Sequence, residues 1–298
     1  MKDGGHSFHI PVMGTGFTID TPLRVAKYGI SSVIPVVDDV LVEQVRKFHC
    51  EKHGEPYEEI PNSDQDARAL RVTAYLNLVD RLVRPQVEEL QASPFEDGSE
   101  ITRYFEMLPE TPLKRAYDEM LATTDPEEKA RMQEDLRQHA VPGSIDINIM
   151  TKLDRDIYLD GKKLPAEFAD AMAALRGFAN STLNSSVVFS AGINQRLYTY
   201  AATFDDFFPD NNGELKKKII LKVSDYRSAS IQAGFSPSVG CGCQSIVSNP
   251  ASTVVGTPLP PTAICWDRSW RSSRRKGRNS PKRFMQRTPK FSQSEVGR

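Results

Sequence analysis

The chain has 298 residues, a formal net charge of -1, and 39% hydrophobic and 26% charged residues, enough for one barrel-sized domain or two smaller ones of ordinary globular composition. No run approaches the roughly 18 apolar residues of a membrane-spanning helix, and the opening MKDGGHSF lacks an apolar signal region. These features argue against membrane-embedded functions and lead us to expect a cytoplasmic protein.

The small net charge hides a sharp asymmetry. All but Asp267 and Glu295 of the 39 acidic residues precede residue 226, whereas Arg268 to Arg298 holds eleven Lys and Arg against the single Glu295. Both tryptophans, Trp266 and Trp270, and three of the four cysteines, Cys241, Cys243 and Cys265, also lie late in the chain. Composition changes character near residue 232.

In chain order, Phe8 to Met13 is a short apolar run predicted as a strand, and Gly14-Thr15-Gly16 is a tight turn able to bring backbone close to a phosphate or flat cofactor. Thr21-Pro22 opens a helix, and Ser32 to Val37 is a second β-branched run. Asp38 to Cys50 is predicted as a helix from an Asp N-cap, with Val40, Leu41, Val45 and Phe48 marking its apolar face. His49 and His53, four apart beside Cys50, have helical ligand spacing without a further ligand cluster, and read as an exposed helix end.

Residues 54–140 form a polar helical insertion. Within it Ala67 to Glu89 presents Leu70, Ala74, Leu78, Leu82 and Val83, Asp125-Pro126 starts another helix, and the many Glu and Arg residues read as a solvated face. Strands resume at Ser144 to Lys152, Ser186 to Gly192 and Lys217 to Asp225, separated by helices from Glu167 to Asn180 and through Leu197 and Tyr200. Alternating strand and helix predicts a parallel α/β sheet: a partial (β/α) TIM-like barrel, with an open doubly wound sheet as the alternative. The organisation is then residues 1–53 for the first βαβα units, 54–140 for the insertion, 141–232 for further βα units, and 233–298 for a disordered tail.

In such barrels the chemistry gathers at the carboxyl ends of the strands. Those ends carry Gly14, Thr15 and Gly16; Asp38 and Asp39, which read as a helix cap; Asn148, Lys152 and Asp154; Ser190, Gly192 and Asn194; and Lys222, Ser224 and Asp225. Lys152 or Lys222 would serve as a Schiff-base nucleophile, a phosphate ligand or a partner for an anionic ring, and a Lys222–Asp225 ion pair is the structural alternative.

The stretches FHIPVMGTGFTIDTPLRVAKYGISSV, DINIMTKLDRD, AALRGFANS, VVFSAGINQRLY and KKKIILKVSDYRSA, spanning residues 8 to about 232, resemble an uncharacterised family of larger bacterial proteins. That family in turn is similar to the FMN-dependent TIM barrels of the nitronate monooxygenase and glutamate synthase type. The resemblance implies an oxidoreductase acting on a small molecule. Gly14, Thr15, Gly16, Ser190 and Gly192 would lie at the flavin, Asn148 at its ring edge, and Lys152 or Lys222 at its phosphate or N1 region, with Asp225 beside them.

The resemblance stops at Gln232, where one lost nucleotide would explain the change. Read one base out of frame, Cys265-Trp266 encodes Leu and Trp266-Asp267 encodes Gly whatever codons are used, matching a Leu-Gly pair in the resembled family. A shifted frame makes residues beyond about 233 an unselected sequence, so that neither the basic run nor the cysteines carry a site. This chain would then be a fragment of weak or no activity, with open sheet edges that favour self-association. Two alternatives are an α/β domain with a nucleic-acid-binding basic tail and an aldolase-type lyase using Lys152 or Lys222.

Overall fold

The computed structural model describes residue 6 and residues 9–150, 154–190, 194–223 and 243–248. Strand β1 (His9–Ile10) passes through two short helical segments, α1 (Thr15–Thr18) and α2 (Pro22–Val25), into β2 (Ser31–Pro35). Helix α3 (Asp39–His53) follows, and a return loop leads to the 26-residue α4 (Ala67–Ala92). Three helices come next: α5 (Glu100–Glu106), α6 (Pro112–Ala122) and α7 (Pro126–His139). The remaining elements are β3 (Ile145–Asn148), the hairpin β4 (Tyr158–Leu159) and β5 (Lys162–Lys163), α8 (Asp170–Ala179), β6 (Ser185–Ser190), α9 (Gln195–Ala201), β7 (Lys217–Val223) and β8 (Cys243–Ser248).

Local chemistry sets these boundaries. The Asp38 carboxylate accepts from the amides of Val40 and Leu41, both at 3.1 Å, which starts α3, and Gly54 at φ 70 ends it in a left-handed conformation that a side chain disfavours. Ser99, Thr111 and Asp125 cap α5, α6 and α7 in the same way, the last two directly before a proline at the first helical position.

The six strands of the main sheet are all parallel and stand in the order β1-β2-β3-β6-β7-β8, so that every strand pairs with the next main-sheet strand in sequence without a reversal. The chain is therefore α/β with a parallel sheet. Six residues from beyond Gln232 supply β8, whose Ile246-Val247 pair has the β-branched character that favours strand pairing whatever the origin of the segment.

Side-chain parity divides the sheet into two faces. Ile34 and Val36, Ile145, Ile147 and Ile149, Val187 and Phe189, and Ile219 and Leu221 share one core with α3, α4, α8 and α9. The opposite face carries His9, Val33, Asp146, Asn148, Ser186, Val188, Lys218, Ile220 and Lys222. Helices α5, α6 and α7 build a smaller, separate core around Leu90, Tyr104, Phe105, Tyr117 and Met120.

Two helices match only in part the inward face their apolar pattern predicts: Leu41 and Val45 of α3 pack on the core and Leu78 and Val83 of α4 are buried as expected, while other positions differ. On α3, Val40 and Phe48 are exposed while Val42, Glu43, Arg46, His49 and Cys50 are buried. On α4, Leu70 is exposed while Ala69, Arg71, Val72, Tyr75, Leu76, Val79 and Val83 face the core. The physical reason is that charged residues occupy inward positions as closed pairs. Arg46 binds Glu43 bidentately at 2.8 and 2.6 Å, and Glu43 also accepts from Tyr57 Oη and the Ile60 amide.

Lys217, at the amino end of β7, is fully buried. Its Nζ donates to the carbonyls of Ser181 and Leu183 and to Ser181 Oγ, and stands 4.3 Å from the centre of the Phe178 ring. Burial, with the neighbouring Lys216 charge, pushes its pKa down to about 7, against the opposing pull of Asp206 and Asp80. An unfolded lysine keeps its proton to about pH 10.4, so between pH 7 and 10 the unfolded chain binds the extra proton and the native state gains stability as pH rises. Melting temperature should therefore climb from pH 7 to 9.5 in the native chain and stay flat in Lys217→Met; a flat native profile would show that the three acceptors hold the ammonium.

Candidate functional site

The carboxyl ends of β1, β2, β3, β6 and β7 lie at one end of the sheet, because parallel strands in register end together. Asn148 pairs in register with Pro35 on one side and Val188 on the other, and Ser190 pairs with Lys222. The sheet thus brings Asn148, Ser190 and Lys222 to the same end, its rim, with Lys222 two strands over from Asn148 and two residues further along, about 12 Å away. The loop holding Gly14, Thr15 and Gly16 continues from β1 at the same end.

Asn148 is buried, and its Oδ1 accepts from the Met150 amide at 2.9 Å, holding Met150 at a positive φ of 43. This turn fixes the side-chain orientation of Asn148 and leaves the amide nitrogen as the group able to donate to a ligand. Lys222 is half-buried and on the same sheet face as Asn148, the face away from the helices. Lys152, Gly192 and Asp225 lie outside the described residues.

The Gly14-Thr15-Gly16 stretch is a helical turn, not a left-handed glycine loop. Gly14 has an extended φ of 168, and the Thr18 hydroxyl donates to its carbonyl at 2.8 Å. A Cβ on Gly16 would meet nothing within 4 Å, so packing does not require glycine there. Met13, Phe17 and Met150, which flank this rim, are all exposed large apolar side chains. The rim therefore combines open backbone, apolar surface, one amide donor and one ammonium.

Behind the rim, the loops are tied to one another by ion pairs. Arg71 Nη1 binds Asp39 at 2.9 Å while its Nε and Nη2 donate to the Ile60 carbonyl. Arg68 Nη2 sits 3.0 Å from Asp39 and 2.9 Å from Asp170, and its Nη1 donates to the Val37 carbonyl. Arg155 completes the chain at Asp170, at 2.8 Å. Asp154 accepts from the Ala171 amide and from Asn194 Nδ2, and Arg176 joins Asp66 to Tyr200.

These pairs join the loops after β2, β3 and β6 to the starts of α4 and α8. Asp38 is a helix cap, as its position in the sequence predicts, whereas Asp39 is the centre of an arginine pair. Of the arginines that read as a solvated face, Arg81, Arg84 and Arg103 are exposed as expected, whereas Arg68 and Arg71 are instead ties of the rim. The only sequence signal for them was their helical phase, since Arg68 and Arg71 fall on the inward side once Val72 and Tyr75 are placed there.

Among the described residues no group of three His, Cys, Asp or Glu is arranged to hold a metal ion, and no helix is long and apolar enough to cross a membrane. Comparisons with protein-family models, with curated proteins and with solved structures each return no match.

Proposed function

We propose that this chain is a truncated N-terminal portion of an FMN-dependent oxidoreductase of the (β/α)-barrel kind, acting on a small molecule. The observation that carries the reading is the sheet itself: strands in sequential order, one face covered by α3, α4, α8 and α9, and Gly14–Gly16, Asn148 and Lys222 at one end of it. A doubly wound sheet reverses its strand order and takes helices on both faces, whereas a barrel wall does neither. In this reading the Asn148 amide donates to the ring edge and Lys222 supplies positive charge to the ring or phosphate. The flavin, when bound, supplies the hydride chemistry.

In the same reading, residues beyond about 233 are out of frame, and loops that would complete the phosphate site are not of the selected sequence. The expected result is weak FMN binding and little turnover. Titration of the purified chain with FMN, read by quenching of flavin fluorescence, should show saturable binding. Gly16→Ala places a methyl in open space within a helical turn, so stability should change by less than about 1 kcal/mol, while FMN affinity falls at least tenfold. Absence of saturable binding, or an affinity unmoved by Gly16→Ala and Asn148→Ala together, would exclude this rim as a flavin site.

A further inference from the structure

His49 lies on the inward side of α3, 4% exposed, with neither ring nitrogen making a hydrogen bond. A neutral imidazole has one donor and one acceptor, and both are stranded here. The nearest charged atom is Oδ2 of Asp20, 3.6 Å from Nε2, beyond hydrogen-bond reach. Asp20 belongs to the segment between α1 and α2, immediately after the core residue Ile19. That segment carries the Gly14-Thr15-Gly16 turn at its other end. Since no third donor converges on the pair, the arrangement is a proton site rather than a metal site.

We propose that His49 is an acid-operated release: uptake of a proton by its ring frees the segment bearing Gly14 to Thr21 from helix α3. The surroundings work against a buried imidazolium. On α3 itself, His53 stacks on the ring at 5.9 Å and Lys52 adds a like charge. From the α1–α2 segment Asp20 favours the charged ring, but its other oxygen is already engaged by Arg24 Nη2 at 2.8 Å. From α4 the group beside Asp20 is the Tyr75 hydroxyl, which donates to the Ile19 carbonyl at 2.8 Å and is held neutral by burial.

Burial, aided by His53 and Lys52, outweighs Asp20 and holds the His49 pKa below its ordinary value of 6.5. The sign follows directly. The open state, with His49 hydrated, takes up the proton first as pH falls, so the closed contact is at full strength above pH 6.5 and weakens below it. The limiting effect at pH 5 is about a 30-fold rise in the open population, for an open-state pKa of 6.5.

Hydrogen exchange of the full chain, followed by mass spectrometry and corrected for intrinsic rates, reads this opening in peptides covering residues 14–21. Between pH 7.5 and 5.0 protection there should fall by roughly tenfold to 30-fold in the native chain and stay constant in His49→Phe. Asp20→Asn removes the one group that favours the charged ring in the closed state, so the onset should stay near about pH 6.5 while the loss of protection at pH 5 grows toward the limiting value, and this second variant decides the matter if His49→Phe fails to fold. Protection that is constant or rises on acidification, a fall that persists in His49→Phe, or a fall smaller in Asp20→Asn than in the native chain would each overturn the proposal.

Discussion

Replacing Gly143 by alanine is expected to lower the stability of the fold by about 3 kcal/mol, since it has the closest approaches among the described glycines. Gly143 lies between α7 and β3, and its amide donates to the Ala26 carbonyl at 2.8 Å. A Cβ there would stand 2.2 Å from the carbonyl carbon and oxygen of Ile30 and 2.6 Å from the Ser31 amide. Those are backbone atoms at the start of β2, so no side-chain rotation relieves the clash. Relief requires β2 and β3 to part where Ser32 N donates to the Ser144 carbonyl and Ser144 N to Ser31 Oγ. Urea unfolding followed by circular dichroism gives the loss directly, and a change under about 1 kcal/mol would show that this close approach is wrong.

Asp39→Ala is expected to cost about 3 kcal/mol, because it strands two arginines at once. Arg71 is 5% exposed and would keep only the Ile60 carbonyl, and Arg68 would keep Asp170 and the Val37 carbonyl. An uncompensated guanidinium in a half-closed site is the larger part of the loss, not the attraction removed. The double variant Asp39→Leu with Arg71→Met should therefore be less destabilised than Asp39→Ala alone. If instead the two changes add, the pair is solvated and the rim is not held together in this way.

Much of the architecture was legible in residue periodicity. Ile145, Ile147 and Ile149 alternate with Asp146, Asn148 and Met150, and the sheet puts the first set against the helices and Asp146 and Asn148 on the other face. Asp38 and Asp125-Pro126 announced the starts of α3 and α7 by capping chemistry that acts within four residues. The hairpin of β4 and β5 had a usable signal in Asp160-Gly161, both at positive φ, as a two-residue turn requires.

The candidate site was legible only as a set of strand ends. That Ser190 and Lys222 fall at one level, two residues beyond Asn148 on the same sheet face, depends on pairing register, which no single segment encodes. The ion-pair ties escaped because a charged residue carries no local mark of whether its partner lies 32 residues away, as Asp39 lies from Arg71, or whether it meets only water.

By itself, then, the sequence determined β1, β2, β3, β6 and β7, the starts of α3 and α7 and the change of composition near residue 232, since these rest on interactions between residues close along the chain. Tertiary structure alone decided that Glu43, Arg46, His49 and Arg71 turn inward on α3 and α4, the register among the candidate residues, and that Lys217 rather than Lys222 is the sealed lysine. Burial is a property of the assembled core. A charge is admitted to it when partners satisfy it there, as Arg46 and Arg71 show, while burial disfavours the Lys217 ammonium and His49 remains buried without a hydrogen-bond partner.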